Sequence, residues 1–400
     1  MSNLYAALEI GTTRTVLAVG ERADGGRVKV TCHAEIPSTG VRKSQILDVN
    51  QATQSIRSVL REIERRQEAA GSKITIGNAY LDVSGPHVRA DPFFGTAQVE
   101  NAKVGRDDVN EAIRSAQAMT LPKSRELLDI IDQDYVLDGL GGIRAPLGMA
   151  GHVLKLNTLH VHADRDRVQN ARTAAEAAHL EIREPLFAAT CAAEAALEDY
   201  EKKNGVLLVD LGGGSTGYAA YLDGYAVATG VVGVGGDHVT NDIAHAFHTT
   251  NAQAEDLKTH EASALVAVPD GASARVRVER GDNPLMDNRT ISRQALNTVV
   301  NARLLELFTV LRETLEDLDL LHRLHAGVVL TGGGARMADV ATLAAQTLGA
   351  NVRIGRPIPV DGFDDDPFPA AFATIAGALL YASRNDDDPS FLGSLFGRFL

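Results

Sequence analysis

Two stretches of the chain, half its length apart, repeat one pattern: an apolar run, an acid, a turn rich in glycine and hydroxyls, and a second apolar run. Leu4–Ile10 ends in Glu9-Ile10-Gly11-Thr12-Thr13-Arg14 and enters the apolar stretch 15–19. Val206–Leu211 ends in Asp210-Leu211-Gly212-Gly213-Gly214-Ser215-Thr216 and enters 218–222. Each pattern predicts a β-hairpin with an acid just before its turn. The acids lie about 200 residues apart in a chain of 400. One hydrophobic core rarely grows past about 250–300 residues, so the echo predicts a duplicated domain.

Helical signals separate the hairpins. Residues 51–67 place Ile56, Val59, Leu60 and Ile63 at helical spacing on a charged background. Residues 107–119 repeat this with Val109, Ile113 and Ala116, and Asp107 and Asp108 stand where a helix dipole favours acids. Further helices are predicted over 165–179 and 292–318, the second leading to the apolar strand 327–330. Strands alternating with helices make the fold class α/β.

Composition narrows the function classes. Lys plus Arg total 39 against 52 Asp plus Glu, a net charge of −13. That sign argues against general nucleic-acid binding, which needs a basic footprint. Cys32 and Cys191 form no disulfide or zinc pattern. No apolar run reaches the roughly 18–20 residues of a membrane span, and Met-Ser-Asn-Leu-Tyr does not open a signal peptide. These features lead to the expectation of a cytoplasmic protein.

Three Gly-rich turns follow apolar strands: Gly11-Thr12-Thr13, Gly212-Gly213-Gly214-Ser215-Thr216 and Gly332-Gly333-Gly334. Glycine lets backbone N–H groups approach phosphate oxygens, and hydroxyls add donors. Glu9 and Asp210 stand where a carboxylate can hold the waters of Mg²⁺ or orient an attacking water. One such turn is an ordinary hairpin. Three, with paired acids at half-chain spacing, point to nucleotide binding.

This constellation resembles the actin/Hsp70/hexokinase superfamily. The resemblance implies an actin-like duplicated fold whose two major domains clasp ATP and Mg²⁺ in a cleft. The first two turns resemble its phosphate loops, with Arg14 where a basic residue is usual, and Leu330-Thr331-Gly332-Gly333-Gly334-Ala335 resembles its adenosine motif. Asp210 and Glu9 would meet Mg²⁺ through water and act in any catalysis. Glu255 and Lys258 resemble the ribose-contacting pair, and Gly235 and Gly236 join the cofactor set. The helices 191–197 and 372–380, rich in small residues, resemble its two helices that cross at a hinge.

A closer resemblance is to the FtsA family of bacterial cell-division proteins. It is carried by Asp82-Val83-Ser84-Gly85-Pro86-His87-Val88, by Gln133-Asp134-Tyr135-Val136-Leu137-Asp138-Gly139 and by Pro146-Leu147-Gly148-Met149-Ala150-Gly151. Gly235-Gly236-Asp237-His238-Val239-Thr240-Asn241-Asp242-Ile243-Ala244 is another long block, and such blocks run from residue 4 to 384. The resemblance implies subdomain 1A at 1–83 and 161–204, with part of 370–384, and the inserted subdomain 1C at 84–160. Subdomain 2A would take 205–239 and 323–369, and subdomain 2B 240–322.

Beyond an acidic linker at 385–389 comes the tail 390–400. At about 100° per residue, Phe391, Leu392, Leu395, Phe396, Phe399 and Leu400 share one half of a helical wheel. Such a tail is too short to span a bilayer but suits its interface. With the resemblance, it reads as a membrane-targeting helix.

The resemblance therefore implies an ATP-binding adaptor that polymerises, tethers FtsZ to the inner face of the cytoplasmic membrane at the division septum, and recruits later division proteins. Its partner would be the acidic-apolar C-terminal peptide of FtsZ, with Arg303 on the helix 292–318 as a candidate contact. Two departures from the family pattern point to slow hydrolysis. Glu9 replaces the usual Asp, and Gly217 replaces the Asp that usually follows the second loop. Two rival readings are a PilM-like pilus adaptor and a small-molecule kinase of the same superfamily. The tail and the Gly235–Ala244 block disfavour the first, and the lack of a sugar- or carboxylate-pocket signature disfavours the second.

Overall fold

The structure is a computed structural model that describes residues 4–71, 75–268, 273–278 and 289–385. The tail residues Phe391, Leu392, Leu395, Phe396, Phe399 and Leu400, and the linker beyond Asn385, lie outside the described residues. Both predicted hairpins form. Leu4–Ile10 pairs antiparallel with Arg14–Arg22, and Val206–Leu211 with Thr216–Leu222. Each hairpin continues into a third antiparallel strand, Val28–Pro37 and Tyr225–Val232 respectively.

On its other side, each hairpin gains two parallel strands. The first half adds Asn78–Val83 and Glu181–Phe187, the second Gly327–Thr331 and Val352–Ile354. The two sheets thus share one strand order, apart from Val360–Asp361, which extends the edge of the first sheet beside Val28. Repetition of a whole topology, with its parallel and antiparallel pairings, is the duplication that the sequence echo predicts.

Parallel neighbours need long crossovers, usually helical. Val49–Ala69 serves the first sheet, with Asp48 accepting from the Gln51 N–H at 3.1 Å as its N-cap. It buries Ile56, Val59 and Ile63. Arg293–Asp317 serves the second, capped by Ser292. Its Leu296, Val300, Leu304, Leu307, Leu311 and Leu315 recur every three or four residues on one buried stripe.

Between Asn78–Val83 and Glu181–Phe187 the chain builds a separate antiparallel sheet. It comprises Arg89–Gln98, Val153–Asp164, Arg125–Leu137 and Leu140–Ile143, in that spatial order. The helix Arg106–Gln117 packs on it, over a core of its own that includes Val109, Ala112, Leu154 and Leu156.

Two Ala-rich helices, Ala188–Ala196 and Ala373–Asn385, cross between the halves. A Cβ on Gly377 would lie 1.8 Å from the Cys191 carbonyl oxygen, so only glycine permits this approach. Ala188–Ala196 also packs on the second hairpin, and Ala373–Asn385 on the first. Burial alone would raise the Glu194 carboxyl, but Lys202 at 2.6 Å and Arg384 at 2.8 Å hold it below its usual value. Arg384 lies on the second helix, so this ion pair ties the helices together. Asn385, placed in the acidic linker by the sequence reading, is the last residue of that helix.

Candidate nucleotide cleft

The two hairpin turns are built alike. The Gly11 N–H donates to the Arg14 carbonyl at 3.0 Å, and the Gly212 N–H to the Ser215 carbonyl at 3.1 Å. The duplicated sheets turn these loops toward each other. A Cβ on Gly214 would lie 2.3 Å from Thr12 Oγ1, which fixes glycine at the closest point. Beside this contact opens a cleft of about 290 Å³.

Glu9, Gly11, Thr12, Thr13, Arg14, Asp210, Gly212, Gly213, Gly214, Ser215, Gly236, Glu255, Lys258, Gly332, Gly333 and Gly334 all line this cleft. Two predicted residues do not. Thr216 is fully buried and donates its hydroxyl to the Val234 carbonyl at 2.7 Å. Gly235 lies behind the second loop, against the Gly212 and Gly213 carbonyls. Both support the loop from behind.

Arg14 is fixed at the wall by Glu35 at 2.6 Å, by the Ala371 carbonyl, and by the Phe372 ring under its guanidinium. Lys258 is buried, donating to Glu255 at 2.6 Å, to Thr240 at 2.9 Å and to the Gly236 carbonyl at 3.3 Å. The pair is thus an organised network rather than a solvated ion pair. A local widening of the helix helps place it, because Leu257–Glu261 is a π-helical turn following Asn251–Asp256.

The acids sit at the floor. Asp210 accepts from Thr331 at 3.0 Å and from Thr374 at 3.3 Å, yet burial lifts its carboxyl above the usual range. Burial lifts Glu9 further, to about 7, with Arg14 opposing and Asp210 and Glu35 assisting. The Oε2 of Glu9 is buried with no hydrogen-bond partner among the described residues. An orphaned Glu9 oxygen near glycine loops and hydroxyls fits a phosphate-bound Mg²⁺, which Glu9 and Asp210 would hold through their carboxylates.

Sequence reasoning missed three contributors. Ser44, in a tight turn with a backbone φ of 56°, donates its N–H to Thr12 at 2.8 Å and hydrogen-bonds Ser215 at 3.0 Å, so it bridges both loops. Nothing in its surroundings in sequence signals this. Thr374 reaches Asp210 from the second Ala-rich helix. Asp82 also lines the cleft, and its signal was visible: an acid inside the apolar strand Asn78–Val83. Gly217 lines the cleft as well, and a Cβ there would lie 2.9 Å from the Ala189 Cβ, leaving no ready space for the expected Asp.

Arg303 lies apart from the cleft. It is not a free cation: it pairs with Asp242 at 2.6 and 3.1 Å and with Glu306 at 2.6 Å.

Comparison with known proteins agrees with this architecture. The family model described as Cell division protein FtsA matches residues 207–377, and that described as SHS2 domain inserted in FTSA matches 85–162. The Cell division protein FtsA of Pseudomonas aeruginosa is 33% identical over 386 residues, covering 96% of this chain and 90% of that protein. That of Bacillus subtilis is 29% identical, covering 96% and 84%. Among solved structures, the PilM-PilN type IV pilus biogenesis complex matches with a TM-score of 0.65 at 18% identity, over 95% of this chain and 98% of that one. MreB5 of Spiroplasma citri bound to ADP matches at 0.57 and 13% identity, over 96% and 99%. At those identities the structures speak to fold, which is the actin-like duplicated α/β fold. The near-full-length match to its sequence relatives settles the family: this chain belongs to the FtsA family of cell-division proteins.

Proposed function

We propose that this chain is an ATP-binding adaptor of the division machinery. It binds ATP with Mg²⁺ in the cleft, polymerises, and tethers FtsZ to the inner face of the cytoplasmic membrane at the septum, where it gathers later division proteins. The observation that carries the nucleotide half is the pair of glycine loops facing each other above the half-buried acids Glu9 and Asp210. Solved MreB5 structures bound to ADP and to AMPPNP support it through the shared fold. Family membership supports the division half.

In this reading the loop N–H groups and the hydroxyls of Thr12, Thr13 and Ser215 hold the phosphates, while Glu255 and Lys258 receive the ribose. Bound Mg²⁺ neutralises phosphate charge. A ligand touching both loops favours one angle between the halves, and the crossing Ala-rich helices are where that angle changes. Only such differential contact can shift a conformational equilibrium toward a polymerising form. The FtsZ peptide would meet the exposed side of Arg293–Asp317, where Arg303 must share its charge with Asp242 and Glu306. Tails 390–400 bind a membrane weakly one by one and firmly when a filament links many.

Hydrolysis is slow in this account. Glu9 places its carboxylate about 1.5 Å, one C–C bond, further out than Asp would, and catalysis is sensitive to shifts of that order. Equilibrium binding and phosphate release by the purified full chain test the proposal. ATP·Mg²⁺ should bind, at least about tenfold more weakly after Asp210→Ala, a loss of about 1.4 kcal/mol or more, with little phosphate released. Absence of ATP binding would overturn the nucleotide reading. Rapid turnover abolished by Asp210→Ala would overturn slow hydrolysis.

A further inference from the structure

Asp82 is the register partner of Glu9 across the parallel pair Leu4–Ile10 and Asn78–Val83. Neighbouring strands lie about 4.8 Å apart, and register partners project from the same face, so the two carboxylates stand side by side. Asp82 is 7% exposed, and neither of its oxygens accepts an N–H or O–H hydrogen bond among the described residues. Among the described residues its neighbouring proton donor is the weak thiol of Cys191. It lines the cleft with Glu9 and Asp210.

A buried carboxylate pair is costly unless something positive compensates it. The basic group on this wall, Arg14, is already taken by Glu35. Among the described residues no three His, Cys, Asp or Glu side chains close a metal site unaided. That pattern suits Mg²⁺, which is usually held by one or two carboxylates while phosphate oxygens and waters complete its shell. The opposite wall offers no acid at Gly217, where Ala189 occupies the space a side chain would need.

We propose that Asp82 is a cation-binding carboxylate of this cleft, paired with Glu9 to receive the divalent ion that enters with a nucleoside triphosphate. The inference rests on the nucleotide reading above. It gives the first-domain wall the negative charge that Gly217 leaves off the second-domain wall. A merely structural Asp82, held protonated against Cys191, would have no bearing on the ion.

Equilibrium binding of a non-hydrolysable ATP analogue to the full chain, in Mg²⁺ and in EDTA, tests this. Wild type should bind more tightly in Mg²⁺, and Asp82→Asn should cut that enhancement about tenfold, as loss of a metal-supporting group does. In EDTA the variant should bind as well as wild type or better, because a charge facing the phosphates is gone. Asp82→Ser is measured alongside, should Asp82→Asn fold poorly, with Mn²⁺ binding to the nucleotide complex read by electron paramagnetic resonance. The expected result there is weaker Mn²⁺ retention than in wild type. An unchanged Mg²⁺ enhancement, or an equal loss in both conditions, overturns the role of Asp82 while ATP binding stands. A wild type that binds no analogue at all overturns the nucleotide reading and this inference together.

Discussion

Burial of Glu9 couples the cleft to pH. Its carboxyl titrates near 4.5 in an ordinary setting and at about 7 here. Between those values the folded state holds a proton that the unfolded chain has released. The stability from Glu9 is therefore complete below about 4.5 and is lost as pH rises through about 7. Asp82 and Asp210, also raised by burial, act in the same sense. The ligand-free protein should melt higher at pH 5.5 than at pH 7.5. Glu9→Gln, neutral at both, should raise the pH 7.5 melting temperature and shrink the difference. Calorimetry showing the same pH slope in wild type and variant would contradict this. Glu9 and Asp210 were legible because an acid before a glycine turn is a positional signal. Thr216 was misread because composition does not say which face of a strand a hydroxyl takes. Side chains alternate along Thr216–Leu222, and its first residue faces inward. Arg303 shows a different limit, because its distant ion pair left no mark in the sequence. Its partner Asp242 is 61 positions away, and sequence spacing reveals only the local pair with Glu306.

At the scale of elements, the crossing of Ala188–Ala196 and Ala373–Asn385 makes a prediction whose sign is informative. Gly→Ala inside an exposed helix normally stabilises by about 1 kcal/mol. At Gly377 the added methyl meets the Cys191 carbonyl, and overpacking costs about 1–3 kcal/mol. Gly377→Ala should lower the melting temperature by several degrees, and a rise would show that the helices do not approach so closely. These helices were legible because runs of Ala and Gly serve close approach. The long helix was legible because its leucines keep a period of three to four. The inserted sheet had no such pattern. Arg89–Gln98 contains Pro92 and Gly95 and exposes Phe94, while Arg125–Leu137 is partly buried along most of its length, so neither shows clean alternation. Only resemblance marked that segment as a unit.

For the whole molecule, the duplicated hairpins, one shared sheet topology and two crossing helices of small residues place two glycine-rich loops face to face. On the proposed reading, a nucleotide that touches both loops sets the angle between the halves. The acid content also gains a location: six of the 52 acids fall in 364–366 and 386–388, at the end that leads to the apolar tail. No helix among the described residues is long and apolar enough to cross a membrane; the proposed attachment rests on residues 390–400 acting together along a filament. The most direct measurement is co-sedimentation of FtsZ with lipid vesicles in the presence of ATP·Mg²⁺, comparing the full chain with a version ending at Asp388. The full chain should pellet with vesicles and carry FtsZ with it, while the shortened chain should leave both in solution. Equal pelleting by the two chains, or a vesicle-bound full chain that leaves FtsZ behind, would contradict it.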